Sequence, residues 1–293
     1  MEERPFGPVR FIPGINRGKY PYCHSIYIES SKILIDPASD RERLKRLRDE
    51  EGVEQVWLSH WHEDHFMDLD LFDDLPLGIH PLDAPPLTDV ESFLDAYDIQ
   101  EQAFRDNWRD IVTEMFHFRP RRPRIALEPG TRQLGNLTVE IVHTPGHTPG
   151  HLCFFFPESG VLFLGDYDLT AFGPWYGDRE SNIPDTIASV RKLEKISART
   201  WLTCHETGVF TADPGNLWSD YLDVIAKREA RLLNFLDQPR SREEIINAWT
   251  VYLKEREPKD FYRFAEWAIV SKHLQGLMAA GRVVMENRRY LKT

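Results

Sequence analysis

The sequence predicts an α/β layered fold, on two observations. A strand, a helix and a second strand follow one another between residues 32 and 58, the unit from which mixed sheets covered by helices are built. In addition, histidines and acids stand just past apolar runs at several points of the chain, where open α/β sites gather.

The elements follow in order. Cys23 to Ile28 alternates imperfectly and suits a strand, and Lys32 to Ile35 is a short apolar strand ending at Asp36-Pro37. A polar helix follows from Asp40 to Glu51, with Gly52 in the usual stop position. Val53 to Leu58 is the next strand and runs into Ser59-His60-Trp61-His62-Glu63-Asp64-His65. Between Asp89 and Phe118, apolar residues such as Phe93, Tyr97, Phe104, Trp108 and Val112 recur every three to four positions. That is helical spacing, and it predicts a helical insertion over residues 89–120, ended by Pro120. Strands resume with Leu137 to Val142, then a hairpin of Leu152 to Phe156 and Val161 to Leu164. A helix from Ile183 to Ile196 and a strand from Thr200 to Cys204 complete the body. The tail reads as helices Leu217 to Leu236, Glu243 to Lys254 and Asp260 to Ala280, then a hairpin of Arg282 to Met285 with Arg289 to Leu291. Ser241-Arg242-Glu243-Glu244 is a capping box for the second of these. Three helices and a hairpin make the pattern of a winged helix, so two units are expected, residues 1–216 and 217–293.

Composition agrees with a globular protein. The 293 residues are 41% apolar and 28% charged, which excludes collagen, disorder and a disulfide scaffold. No run of about 18 apolar residues exists to span a membrane, and Met1 to Arg10 lacks the apolar core of a signal peptide. The odd, scattered Cys23, Cys153 and Cys204 suit a reduced cytoplasmic protein. The net charge of −11 opposes casual binding to nucleic acid. It is uneven: from Asp220 onward 14 Lys/Arg stand against 11 Asp/Glu.

His60, His62, Asp64 and His65 fall within six residues, just past a strand. Imidazole and carboxylate suit a borderline divalent ion. Alternate residues can point the same way, so His60 and His62 could grip one ion and leave Asp64 and His65 for a second. His147 lies in a rigid turn between Pro145-Gly146 and Thr148-Pro149. Asp166 follows Gly165 at a strand end, where a buried carboxylate is costly without a cation, and His205 ends another strand.

These residues carry a resemblance. His60-Trp61-His62-Glu63-Asp64-His65 resembles the HxHxDH signature of the metallo-β-lactamase fold superfamily. The Thr-Pro-Gly-His at His147, the Gly165-Asp166 pair and the isolated His205 resemble its later motifs in order. The likeness spans roughly Val9 to Val209. It implies an αββα sandwich with the site along one edge. It also implies that His60, His62 and His147 bind a first metal, that Asp64, His65 and His205 bind a second, and that Asp166 bridges them. A metal-bridging hydroxide would attack the substrate, and Asp64 would also handle a proton. Two Zn2+ are expected, with Fe or Mn open to cellular supply. Asp36 either orients a ligand histidine or only ends its strand. His151, His143, His24, His80, His117 and His273 are read as structural, Cys204 as a buried thiol, and Glu63 as a surface or supporting group.

The tail segments Lys227 to Leu233, Ser241 to Ile245 and Leu274 to Val283 resemble the winged-helix tail of the β-lactamase-like protein 2 group. That group includes a single-strand endoribonuclease. Tyr167, Phe172, Trp175 and Tyr176 follow Asp166 and could line a pocket, and the inserted aromatics could form a lid or a homodimer face. An aromatic, acidic mouth favours a small ester, thioester or lactone as substrate. Nucleic acid is the less favoured partner, no membrane partner is expected, and iron-dependent thiol or persulfide oxidation is the remaining alternative.

Overall fold

The computed structural model describes residues 1–293. Thirteen strands form two mixed sheets. The first contains, in spatial as in chain order, β1 (Arg4–Phe6), β2 (Val9–Ile12), β3 (Ser25–Ile28), β4 (Ile33–Ile35), β5 (Gln55–Trp57), β6 (Leu77–Ile79) and β7 (Ile125–Ala126). Its β4 to β7 pairings are parallel. The second contains β8 (Gly130–Leu134), β9 (Leu137–His143), β10 (Leu152–Phe156), β11 (Val161–Phe163), β12 (Thr200–Leu202) and β13 (Val209–Phe210), ordered β13-β12-β11-β10-β9-β8. The hairpin expected at Leu152 to Leu164 is β10 with β11, paired from Phe154 opposite Phe163.

Both faces of the central strands are covered. β3, β4, β6, β11 and β12 are buried at every residue, the pattern of sheets packed on two sides. One apolar cluster draws on both sheets, and the rings of Trp57 on β5 and Phe154 on β10 meet at 5.7 Å. On the far side of the second sheet, Val190 and Leu193 of helix Ile183–Leu193 and Trp218 and Tyr221 of helix Leu217–Phe235 join Leu162 and Trp201 in a separate cluster. The result is the expected αββα sandwich.

The insertion forms two helices, Val90–Ala96 and Gln102–Glu114. Phe93, Trp108, Val112 and Phe116 are buried in the main core, so this segment packs onto the sandwich.

The tail gathers a second apolar cluster, including Ile225, Leu232, Ile245, Leu274 and Val283, which also takes in Tyr176 of the body. Helix Lys259–Ala279 and a small sheet of β14 (Arg240–Ser241), β15 (Val283–Glu286) and β16 (Arg289–Lys292) frame it. The capping box is formed: Ser241 caps helix Arg242–Asn247, and the Glu244 carboxylate accepts the Ser241 N–H at 2.9 Å. That helix stops at Asn247, short of the expected Lys254. The buried Glu266 carboxylate accepts the N–H groups of Val251 and Tyr252 and the Thr250 hydroxyl, so those donors have partners outside a helix. Trp249 and Leu253 turn the chain through positive φ.

Arg228 joins the tail to the body. The residue is 1% exposed, and its guanidinium donates to Phe172 O, Pro174 O and the Tyr176 hydroxyl at 2.7, 2.7 and 3.1 Å. Arg228→Ala leaves those carbonyls unpaired. The expected loss is about 3 kcal/mol of unfolding free energy, read as a lower urea midpoint, with Arg228→Lys recovering little of it.

Candidate metal centre

Each candidate ligand is set by local chain geometry. Asp36 ends β4 at φ 54°. Its carboxylate accepts the Ser59 N–H at 2.8 Å and the Ser59 hydroxyl at 2.7 Å, which fixes the start of the histidine loop. His62 precedes the short helix Glu63–Phe66, which carries Asp64 and His65. His147 sits in a turn whose Gly146 has φ 125°. A Cβ there would stand 2.2 Å from the backbone nitrogen of Thr186, so only glycine fits. Gly165 makes the turn before Asp166, whose N–H donates to His151 Nε2 at 3.1 Å. The N–H of His205 donates to Asp168 Oδ1 at 3.0 Å.

All seven candidates meet at one edge of the sandwich. His60 Nε2, His62 Nδ1 and His147 Nε2 lie 3.0 to 3.1 Å from one another. Asp166 Oδ2 stands 3.3 Å from the His147 nitrogen and 3.8 Å from that of His60. Its other oxygen, Oδ1, lies 2.9 Å from His65 Nε2 and 3.2 Å from His205 Nε2. Asp64 Oδ2 is 3.5 Å from His205 Nε2. There are thus two donor groups that share Asp166. Four-coordinate zinc with bonds of about 2.0–2.1 Å has ligand atoms roughly 3.3 Å apart, close to the spacings of the first group.

Two further observations fit a cation pair. His65 Nε2 and Asp166 Oδ1 are buried with no satisfactory hydrogen bond, an expensive arrangement unless an ion sits between them. The far nitrogen of every candidate histidine is also engaged. His62 Nε2 meets Asp178 Oδ2 at 2.8 Å, and His65 Nδ1 meets Asp36 Oδ2 at 3.1 Å. His205 Nδ1 meets Tyr22 O at 3.1 Å, and His147 Nδ1 meets Trp175 O at 3.3 Å. His60 Nδ1 meets Ser59 Oγ at 2.9 Å. Since the Ser59 hydroxyl donates to Asp36, it accepts from His60. Outward N–H groups leave the inward lone pairs free for metal.

The electrostatics match. Burial opposes charging His62, yet Asp178, Glu63 and Asp64 together raise the pKa to about 9. Burial likewise opposes charging His205, but Asp166 and Asp168 lift it to about 10. Asp166 is held well below the usual carboxylate range, because His65 and His205 overcome its burial. Carboxylate charge therefore concentrates where cations would bind.

Asp36 both ends a strand and orients His65. His151 is a support, as expected, with Thr144 on one nitrogen and Asp166 N–H on the other. Glu63 lies beneath the surface and accepts the Tyr20 and Tyr97 hydroxyls at 2.9 and 2.5 Å. Burial, together with Asp64, pushes it to about 7. Asp168 and Asp178 escaped the sequence reading, because a lone acid in a loop carries no spacing signal.

A cavity of about 540 Å³ opens onto the donors. Phe172 and Trp175 line it as expected. Tyr167 and Tyr176 do not. Both are fully buried, Tyr167 donating to Thr144 O and Pro145 O and Tyr176 bonded to His273. Tyr20, Trp108, Tyr252, Phe261, Tyr262 and Phe264 line the cavity instead.

Two stacked mixed sheets with a shared histidine–carboxylate site at their edge define a metallohydrolase class. The chain belongs to the metallo-beta-lactamase superfamily, whose family model matches residues 19–229. It is 35% identical over 124 residues to a hydroxyacylglutathione hydrolase of Rhodospirillum rubrum, covering 39% of this chain and 47% of that one. It is 27% identical over 181 residues to an atrochrysone carboxyl ACP thioesterase of Pseudocercospora fijiensis, covering 59% and 52%. The chain thus spans about half the length of these curated relatives. A metallo-beta-lactamase family protein of Thermus thermophilus superposes with a TM-score of 0.72 at 21% identity, covering 98% of this chain and 99% of that one. A beta-lactamase domain protein of Burkholderia ambifaria gives 0.72 at 17%, covering 100% and 94%. The model match ends inside helix Leu217–Phe235. No helix is long and apolar enough to cross a membrane.

Proposed function

We propose that this protein is a binuclear metal-dependent thioester hydrolase. The carrying observation is the convergence of six donors on Asp166 at an aromatic cavity. His60, His62 and His147 would hold one ion, Asp64, His65 and His205 the other, with Asp166 between them. Zinc is the ion this donor set takes most readily. When bound, the ions would supply Lewis acidity and lower the pKa of water toward neutrality.

The protein's residues supply the rest. Asp178, Asp36 and Ser59 hold their histidines aimed inward. The Asp64 carboxylate lines the cavity. It takes a proton from the attacking water and returns it to the departing thiolate. The carbonyl carbon gains a C–O bond and loses its C–S bond, giving a carboxylic acid and a thiol. Hydroxyacylglutathione and acyl-ACP are both thioesters, and the names of both relatives support this bond over an ester or lactone. Much of the cavity lining is aromatic, from Tyr20 and Trp108 to Phe261 and Phe264, which suits an acyl group better than a polyanion. The residues from 217 onward are read as a winged-helix-like unit that serves the pocket rather than nucleic acid.

The test offers metal-loaded protein a panel of thioesters, esters, lactones and a single-stranded RNA oligomer. Thiol release from thioesters, at least tenfold faster than turnover of matched esters, is expected. RNA cleavage with no acyl hydrolysis would replace this reading with a nuclease.

A further inference from the structure

The cavity wall facing the donors is built largely outside the metal-binding core. Tyr20 precedes β3, and Trp108 comes from the insertion helix. Phe261, Tyr262 and Phe264 come from the first turns of helix Lys259–Ala279, Tyr252 from the loop before it, and Phe172 from the segment that Arg228 anchors. Their rings touch in series. Phe172 meets Tyr252 at 5.2 Å, Tyr252 meets Tyr262 at 5.0 Å, and Tyr262 meets Phe261 at 5.3 Å. Phe261 stacks on Tyr20 at 5.5 Å and 22°, and lies 5.6 Å from Trp108.

Much of this wall is ring carbon, from Trp108, Phe172, Phe261 and Phe264. Glu63 holds the hydroxyls of Tyr20 and Tyr97, so these rings offer faces and not phenols. Tyr20 and Phe172 remain 43% and 39% exposed beside the cavity. Large apolar surface left open within a cleft marks a place for a ligand to cover. Ring faces prefer another flat ring in offset or tilted contact.

We propose that the substrate's acyl group is flat and aromatic, and that the wall centred on Phe261 selects it. The inference rests on the thioesterase reading for its reaction but not for its recognition, and the test separates the two. The tail is then a specificity element. Its helix delivers Phe261, Tyr262 and Phe264 to a site whose metal-binding donors all lie upstream.

The experiment uses full-length, metal-loaded protein and two thioesters of one thiol, S-phenylacetyl- and S-acetyl-N-acetylcysteamine. The expected kcat/KM ratio favours phenylacetyl by roughly tenfold or more. Phe261→Ala is expected to bring that ratio below about threefold, with metal content retained. Phe261→Leu keeps bulk without a flat ring and should fall between; it also serves if the alanine variant misfolds. Calorimetric titration with 1-naphthylacetate against acetate reads recognition without turnover. A binding preference that Phe261→Ala erases supports the aromatic wall even if no thioester is cleaved, an outcome that would remove only the thioesterase reading. A wild-type protein indifferent to the acyl group in both assays, or variants that keep its preference, would overturn the inference.

Discussion

Asp166→Ala is expected to abolish turnover while leaving a folded chain. Asp166 alone reaches both donor groups, its two oxygens lying near His147 and His60 on one side and His65 and His205 on the other. On the proposed two-ion reading, its removal would take a ligand from each ion and the shared charge from the pair. Losing an outer partner of a ligand costs about 10–100-fold, so losing this carboxylate should cost more than 100-fold in kcat/KM. The backbone contacts survive the change. The residue 166 N–H still meets His151, and its carbonyl still accepts from the Tyr221 hydroxyl. Circular dichroism beside steady-state kinetics checks both halves. Activity within tenfold of wild type would remove Asp166 from the reaction.

Asp36→Ala is expected to have the second largest effect, on affinity and stability together. Asp36 is fully buried and accepts from Ser59 N–H, the Ser59 hydroxyl and His65 Nδ1. Without it, His65 is free to turn and Ser59 no longer accepts cleanly from His60. Both donor groups loosen, through residues that never touch an ion. Metal affinity should fall about 10–100-fold, measured by competition with a chromogenic chelator. The stranded Ser59 N–H should also cost about 1–3 kcal/mol of metal-free stability, measured by urea unfolding. Asp178→Asn is the comparator. Asp178 meets only His62 and the Trp175 indole N–H among side chains, so affinity should fall with little loss of stability. Equal effects from the two variants would contradict this division of labour.

The cluster of candidate donors was legible because its signal is local. His60 to His65 is a short run of donors, and His147 and Asp166 stand in turns that glycine marks. Helix limits were legible where caps are chemical, as at Gly52 and Ser241. What escaped is non-local. Asp178 supports His62 from 116 residues away, and Glu266 ends the helix at Asn247 from the next helix. The aromatics after Asp166 were legible as a group but not by side. Phe172 and Trp175 face the cavity, whereas Tyr167 and Tyr176 turn into the protein. The wall from Tyr252 to Phe264 was invisible because those residues read as ordinary helix and loop aromatics until the tail folds back over the site.

The central claim is that two ions share Asp166, and metal stoichiometry tests it most directly. Protein purified without a metal-binding tag, reloaded and assayed by mass spectrometry, should carry about two divalent ions per chain, and both His60→Ala and Asp166→Ala should carry fewer. A folded wild-type protein that takes up no metal, or one whose metal content neither substitution changes, would contradict it.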